Sequence, residues 1–158
     1  MIVAGTGHRP NKLGGYGKEA ATKVVDTAVD WLAINRPTKV ISGGALGWDQ
    51  ALAAAASIVE IPYVMALPFF NLGAKWPKES AAYLDYLCEG AADVIFVCEP
   101  GYAPWKMQKR NEWMVDNCDT VLALWNGTSG GTANCVAYAE KMGKPIINLW
   151  ENYNDVSN

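Results

Sequence analysis

Two stretches of this chain place glycines and small polar residues where a helix is about to begin. One is Ser42-Gly43-Gly44, followed closely by Asp49. The other runs from Asn126 to Gly130-Gly131-Thr132. A turn of this kind presents unpaired backbone N–H groups at the positive end of a helix dipole. The chemistry it suits is the capture of an oxyanion, phosphate above all. Arg9 and Arg110 are the cations that could join it, since a guanidinium clasps phosphate through two parallel hydrogen bonds. Ser42, Asn126 and Thr132 add hydroxyl and amide groups for ribose or phosphate oxygens. Glycine weakens the strand and the helix on either side of it. The pair Gly43-Gly44 therefore implies either a tight turn or something that comes very close to the backbone.

The stretch "GTGHRP" brings Gly7, His8 and Arg9 together at another strand end. His8 is the only histidine of the chain, and both a ligand contact and a packed or capping role are open to it. Asp49 has three readings: stabilising a helix start, accepting hydrogen bonds from a ribose or base, and positioning Arg9. If the chain is an enzyme, Arg110 and Asp49 are the residues this pattern offers for catalysis. No Gly-Lys-Ser/Thr follows either turn, so neither is a Walker loop. "GTGHRP" has only the first two glycines of a dinucleotide fingerprint. Trp105 could stack on a base. Trp48, Trp76, Trp113 and Trp125 read as core or wall.

The elements that must position these residues alternate along the chain. β runs are expected at "MIVAGT", "KVIS", "YVMALP", "DVIFVC", "TVLALW" and "PIINLW". Helices are expected at "KEAATKVVDTAVDWLAIN", "WDQALAAAASIVE", "PKESAAYLDYLCEG", "PWKMQKRNEWMVDNC" and "GGTANCVAYAEKMG". Such alternation predicts crossover connections and a mainly parallel sheet between two helical layers. The strands read as apolar throughout, as strands covered on both faces do. The reading is one three-layer α/β domain over residues 1–150 and a polar C-terminal tail over 151–158. Glycine, serine, threonine, asparagine and arginine gather after the strands, where ligands of open α/β sheets bind.

Composition bounds the answer. The chain has 158 residues, 51% of them hydrophobic and 18% charged, with a formal net charge of -3. That suits one ordered domain and argues against wholesale duplex DNA binding. No apolar run is long enough for a bilayer and the start lacks a leader pattern, so the expected location is the cytoplasm, with no membrane partner. The four cysteines, Cys88, Cys98, Cys118 and Cys135, have no zinc or redox spacing. Neither a metal nor a resident cofactor is expected.

Taken together, "GTGHRP", "SGGALGWDQA", "KRNEWMVDNCDTVLALWNG" and "GGTANCVAYA" resemble the SLOG superfamily, and within it the YpsA-like branch. The resemblance covers nearly the whole chain. It implies a Rossmann-like domain with strand order 3-2-1-4-5, to which a sixth strand can be added, and a nucleotide-type ligand over the glycine loops. It also implies relatives that bind nucleotides, ADP-ribose-like signals or nucleic acid, and a homodimer. A related enzymatic branch, the Lonely Guy phosphoribohydrolases, carries R-x8-D and then P-G-G-x-G-T-x-x-E. Arg110 and Asp119 match the first part. "NGTSGGTAN" matches the second in part, and is read here with Asn134 against the catalytic glutamate. An asparagine is no carboxylate base; His8, Asp49 and Glu112 are the substitutes at hand.

The resulting expectation is a protein that binds a nucleotide or nucleotide-derived small molecule through Gly7, His8, Arg9, Ser42, Gly43, Gly44, Asp49, Arg110, Asn126, Gly130, Gly131 and Thr132. Its role would be sensor, carrier or sequestering protein, including a phage-type protein that removes an immune signal. The alternatives are an N-glycoside hydrolase of nucleoside monophosphates or NAD-like substrates, and a single-stranded nucleic acid binder suggested by the "KMQKR" cluster.

Overall fold

The computed structural model describes residues 1–155. Six strands form one sheet: β1 (Ile2–Gly7), β2 (Lys39–Ser42), β3 (Tyr63–Leu67), β4 (Asp93–Phe96), β5 (Thr120–Leu124) and β6 (Ile146–Asn148). Between them run α1 (Lys18–Asn35), α2 (Trp48–Ile58), α3 (Lys78–Gly90), α4 (Pro104–Asp116) and α5 (Gly131–Lys141), with α6 (Trp150–Asp155) last. Every strand pairing is parallel and the order is β4-β3-β2-β1-β5-β6. Without β4, this is the expected 3-2-1-4-5 arrangement. The added strand is "DVIF", which extends the sheet beyond β3 instead of lying beside β1. Asp93 and Phe96 are exposed and Val94 and Ile95 half-buried, as an edge position permits.

Alternation along the strands serves two cores. Val3, Val40, Met65 and Leu122 face a cluster built with α1, α2, α3 and α6. Their neighbours Ala4, Ile41, Ala66 and Val121 face a second cluster with Met114 and Val115 of α4 and Cys135 and Ala139 of α5. No helix among the described residues is long and apolar enough to cross a membrane.

The C-terminal segment differs from its expectation. Residues 150–155 form α6, and Tyr153 is buried. Its ring packs against Trp150, and the Lys23 ammonium sits 4.1 Å from its centre. An aromatic body with a polar tip covers core surface even in a polar stretch. Residues 156–158 of the expected tail lie outside the described residues.

The chain steps outward from β1 to β4. α4 then brings it back to β5 on the other side of β1. The order therefore reverses between β1 and β5, which is where such sheets open a crevice. α2 presses close to that point. Trp48 is fully buried and donates its indole N–H to the Leu122 carbonyl at 3.1 Å. A Cβ at Gly7 would stand 2.6 Å from three Trp48 atoms, its Cβ among them. Glycine at 7 is thus a packing requirement. Gly7→Ala is expected to lower stability by about 1–3 kcal/mol, as overpacked sites do. Urea denaturation checks it, and parental stability would show that α2 can move aside.

Candidate functional site

A cavity of about 290 Å³ opens over the ends of β1 and β5. Thr6, Gly7, His8, Arg9 and Lys12 line one side. Ala45, Asp49, Met107, Arg110 and Asn111 line another, and residues 128 to 132 close it. Three cations and one carboxyl face this space, in a chain whose net charge is negative. The local field is set by these side chains and not by the average.

Asp49 and Arg110 are both buried. They meet in front of Gly43, where an added Cβ would lie 2.7 Å from an Asp49 carboxyl oxygen and 2.8 Å from an Arg110 nitrogen. Arg110 donates to the Gly43 carbonyl and, through Nε, to Asn111 Oδ1 at 3.0 Å. The Ala45 N–H donates to Asp49 Oδ2 at 3.3 Å. Burial pushes the Asp49 carboxyl above the usual carboxylate range, opposed by Arg110, the Ala45 amide and Arg9. Burial also draws Arg110 down, with Asp49 opposing. What approaches the backbone at Gly43 is therefore the protein's own Asp49 and Arg110 side chains.

The first glycine turn is accordingly occupied from within. The Gly44 N–H donates to Ser42 Oγ at 3.3 Å, and Ser42 donates to the Asp49 carbonyl at 2.6 Å. Ser42, Gly43 and Gly44 back the cavity and do not line it. The second turn is built differently. α5 begins at Gly131 with no side-chain cap, so its first-turn amides receive no side-chain acceptor. Gly130 precedes it at φ +141, a conformation open to glycine. Gly130, Gly131 and Thr132 all line the cavity.

Between them stands His8. The Asn126 N–H donates to its Nε2 at 2.9 Å. An amide can only donate, so Nε2 carries a lone pair and the ring is neutral, protonated on Nδ1. Burial is the main cause that lowers its pKa, and the Trp150 ring packs edge-on against it at 5.7 Å. Asn126 does not line the cavity. Its Oδ1 accepts from the Thr128 N–H and hydroxyl, which shapes the loop leading to Gly130. Lys12 donates to Thr128 Oγ1 at 2.9 Å. Arg9 is exposed and its guanidinium makes no hydrogen bond or ion pair among the described residues.

The residues that the hydrolase pattern would need lie elsewhere. Asp119 accepts from the Ile2 N–H at 2.7 Å, at the far end of β1. Glu112 lies 3.9 Å from Lys109 and does not reach the cavity. Asn134 is exposed and absent from the lining. Counting G-T-x-x-E from Gly131 and Thr132 ends on Cys135, which corrects the placement on Asn134. Cys135 lies beside Thr6, and burial pushes its thiol up to about 11. Neither residue is a carboxylate. Among the described residues, no group of three or more His, Cys, Asp or Glu could hold a metal.

A second cavity, of about 430 Å³, shares Arg9, Ala45, Met107 and Arg110 with the first. Phe69, Trp76 and Tyr102 wall it. Phe69 and Tyr102 did not stand out in the sequence, because they come from separate loops that only the fold joins. Lys106 of the "KMQKR" cluster is buried. Its ammonium donates to the carbonyls of Glu99, Pro100 and Gly101 at 2.8, 3.3 and 2.7 Å. Trp105 is 59% exposed and lines neither cavity.

The profile described as the YspA SLOG family matches residues 3–146. The SPbeta prophage-derived protein YoqJ of Bacillus subtilis (strain 168) is 32% identical over 134 residues, covering 73% of this chain and 78% of YoqJ. Among solved structures, DNA processing protein A of Streptococcus pneumoniae superposes with a TM-score of 0.68 at 22% identity. The match covers 93% of this chain and 49% of that one, so this chain spans about half its length. The molybdenum cofactor carrier protein of Chlamydomonas reinhardtii superposes at 0.59 with 15% identity, over 93% and 74%. These two likenesses carry the fold.

The His8 arrangement sets a pH dependence. Its ordinary value is 6.5 and its folded value is lower. Above about 6.5 both folded and unfolded chains hold it neutral and its contribution is complete; as pH falls below that, the unfolded chain takes up the proton first. Stability is expected to drop from about pH 7.5 to about pH 5.5, and His8→Gln to drop less. Thermal unfolding at the two pH values reads this; equal losses would remove His8 as the cause.

Proposed function

The chain belongs to the YspA SLOG family, and on that premise we propose that it binds a nucleotide or nucleotide-derived small molecule at the C-terminal edge of its sheet. The observation that carries the reading is the uncapped start of α5 facing Arg9, Lys12 and Arg110 across one cavity. A phosphate there accepts from the Gly131 and Thr132 amides and lies in the favourable field of the helix dipole. Arg9 approaches it from solvent. Arg110, already tied to Gly43, contributes charge from below. Gly43 acts by admitting the Asp49 and Arg110 side chains, Gly44 by leaving room for Leu67, and Ser42 by fixing the turn. His8 and Asn126 act by shaping the loop. The role is that of a sensor, carrier or sequestering protein, and the prophage origin of YoqJ favours sequestration.

Thermal shift with AMP, ADP-ribose and cyclic nucleotides tests the reading. At least one is expected to raise the melting temperature. Arg9→Ala, an exposed position, is expected to weaken its binding about tenfold, the loss of roughly one charge-assisted contact. A folded protein that no nucleotide stabilises overturns it.

One observation favours a second reading, an N-glycoside hydrolase. Among the described residues, Asp49 is the one carboxyl lining the cavity, and it sits near Arg110. A carboxylate there could stabilise a developing oxocarbenium centre. Chromatography of nucleoside monophosphates after long incubation decides it: release of free base, lost in Asp49→Asn, supports it, and intact substrate ends it. A nucleic acid reading is weaker, because Lys106 is engaged by its own loop and Lys109 lies beside Glu112.

A further inference from the structure

The two cavities adjoin across Arg9, Ala45, Met107 and Arg110, and their walls differ in kind. The first is lined by amides, hydroxyls and cations. The second is walled by three aromatic rings. We propose that the second cavity holds the planar heteroaromatic ring of a nucleoside phosphate whose phosphate rests on the start of α5. The inference rests on the nucleotide reading above and adds to it where the base lies and what recognises it.

The aromatic wall is graded in rigidity. Phe69 is buried, and Trp76 packs partly buried against the main core. Both rings are therefore fixed before any ligand arrives. Tyr102 meets Phe69 edge-on, with centres 6.3 Å apart, yet remains 71% exposed. A ring held at one edge and otherwise wet gains burial when a flat partner covers its face. Its loop is not free to collapse, because Lys106 gathers the three carbonyls just before it. Asn71, exposed at the rim, offers an amide donor and acceptor to a base edge. A volume of about 430 Å³ lies in the range of small-molecule sites. The cations between the cavities place charge where the ligand passes from ring to phosphate.

Calorimetry with AMP and with ribose 5-phosphate tests this on the intact chain. The two probes share the sugar and phosphate and differ in the base. AMP is expected to bind at least about tenfold tighter, the scale of one base stacked on aromatic rings. Tyr102→Ala should bring the two affinities within about threefold, while Tyr102→Phe, which keeps the ring, should preserve the difference. Equal affinity of the parent chain for both probes overturns the base subsite and leaves the phosphate site standing. A preference untouched by Tyr102→Ala also overturns it. If neither probe binds, the phosphate site has failed and the base subsite fails with it.

Discussion

Asp49 and Arg110 lie buried in the space that a Cβ at Gly43 would enter, and the arrangement of the crevice follows from that packing. Taking two charges from water costs several kcal/mol each, and the cost is met only when every donor and acceptor finds a partner. Here Asp49 receives the Ala45 amide, and Arg110 reaches the Gly43 carbonyl and Asn111. Among the described residues, no buried side-chain nitrogen or oxygen lacks a partner. The pair joins the end of β2 to α2 and α4, which come from opposite faces of the sheet.

This constraint divides the two glycine-rich turns. The first gives its amides to Ser42 and Asp49 and becomes part of the scaffold. The second, at the start of α5, lines the cavity and receives no side-chain acceptor. In sequence the two look alike: small residues between a strand and a helix. Only the partner that fills each turn distinguishes them. For Gly43, that partner is a side chain 67 residues along the chain.

The fold was legible to a large degree, and for a physical reason. α1 over 18–35 and β2 over 39–42 match their expected bounds, because a helical period and a short apolar run bounded by polar residues are local signals. β4 was legible as a strand but not in its place, since nothing local says which edge a strand joins. α6 was hidden because its buried surface comes from Tyr153 and Trp150 inside a polar stretch. Within the site, Arg9, Arg110, Asp49 and the Gly130–Thr132 turn line one cavity. Of the aromatic wall only Trp76 reads as core or wall from the sequence; Phe69 and Tyr102 did not show, because they follow β3 and β4 and meet only after those strands have paired. Lys106 misled for a related reason: in "KMQKR" it reads as surface charge, and no periodicity says that it folds back on its own loop.

That lysine gives the loop before α4 an unusual character. One ammonium brings three successive carbonyl oxygens to a single point, much as a coordinated metal ion would. Unlike a metal, this cation is covalently part of the chain. Dilution cannot remove it and a chelator cannot strip it. A guanidinium, flat and forked, cannot converge on three oxygens in this way, so arginine is no conservative replacement at this position.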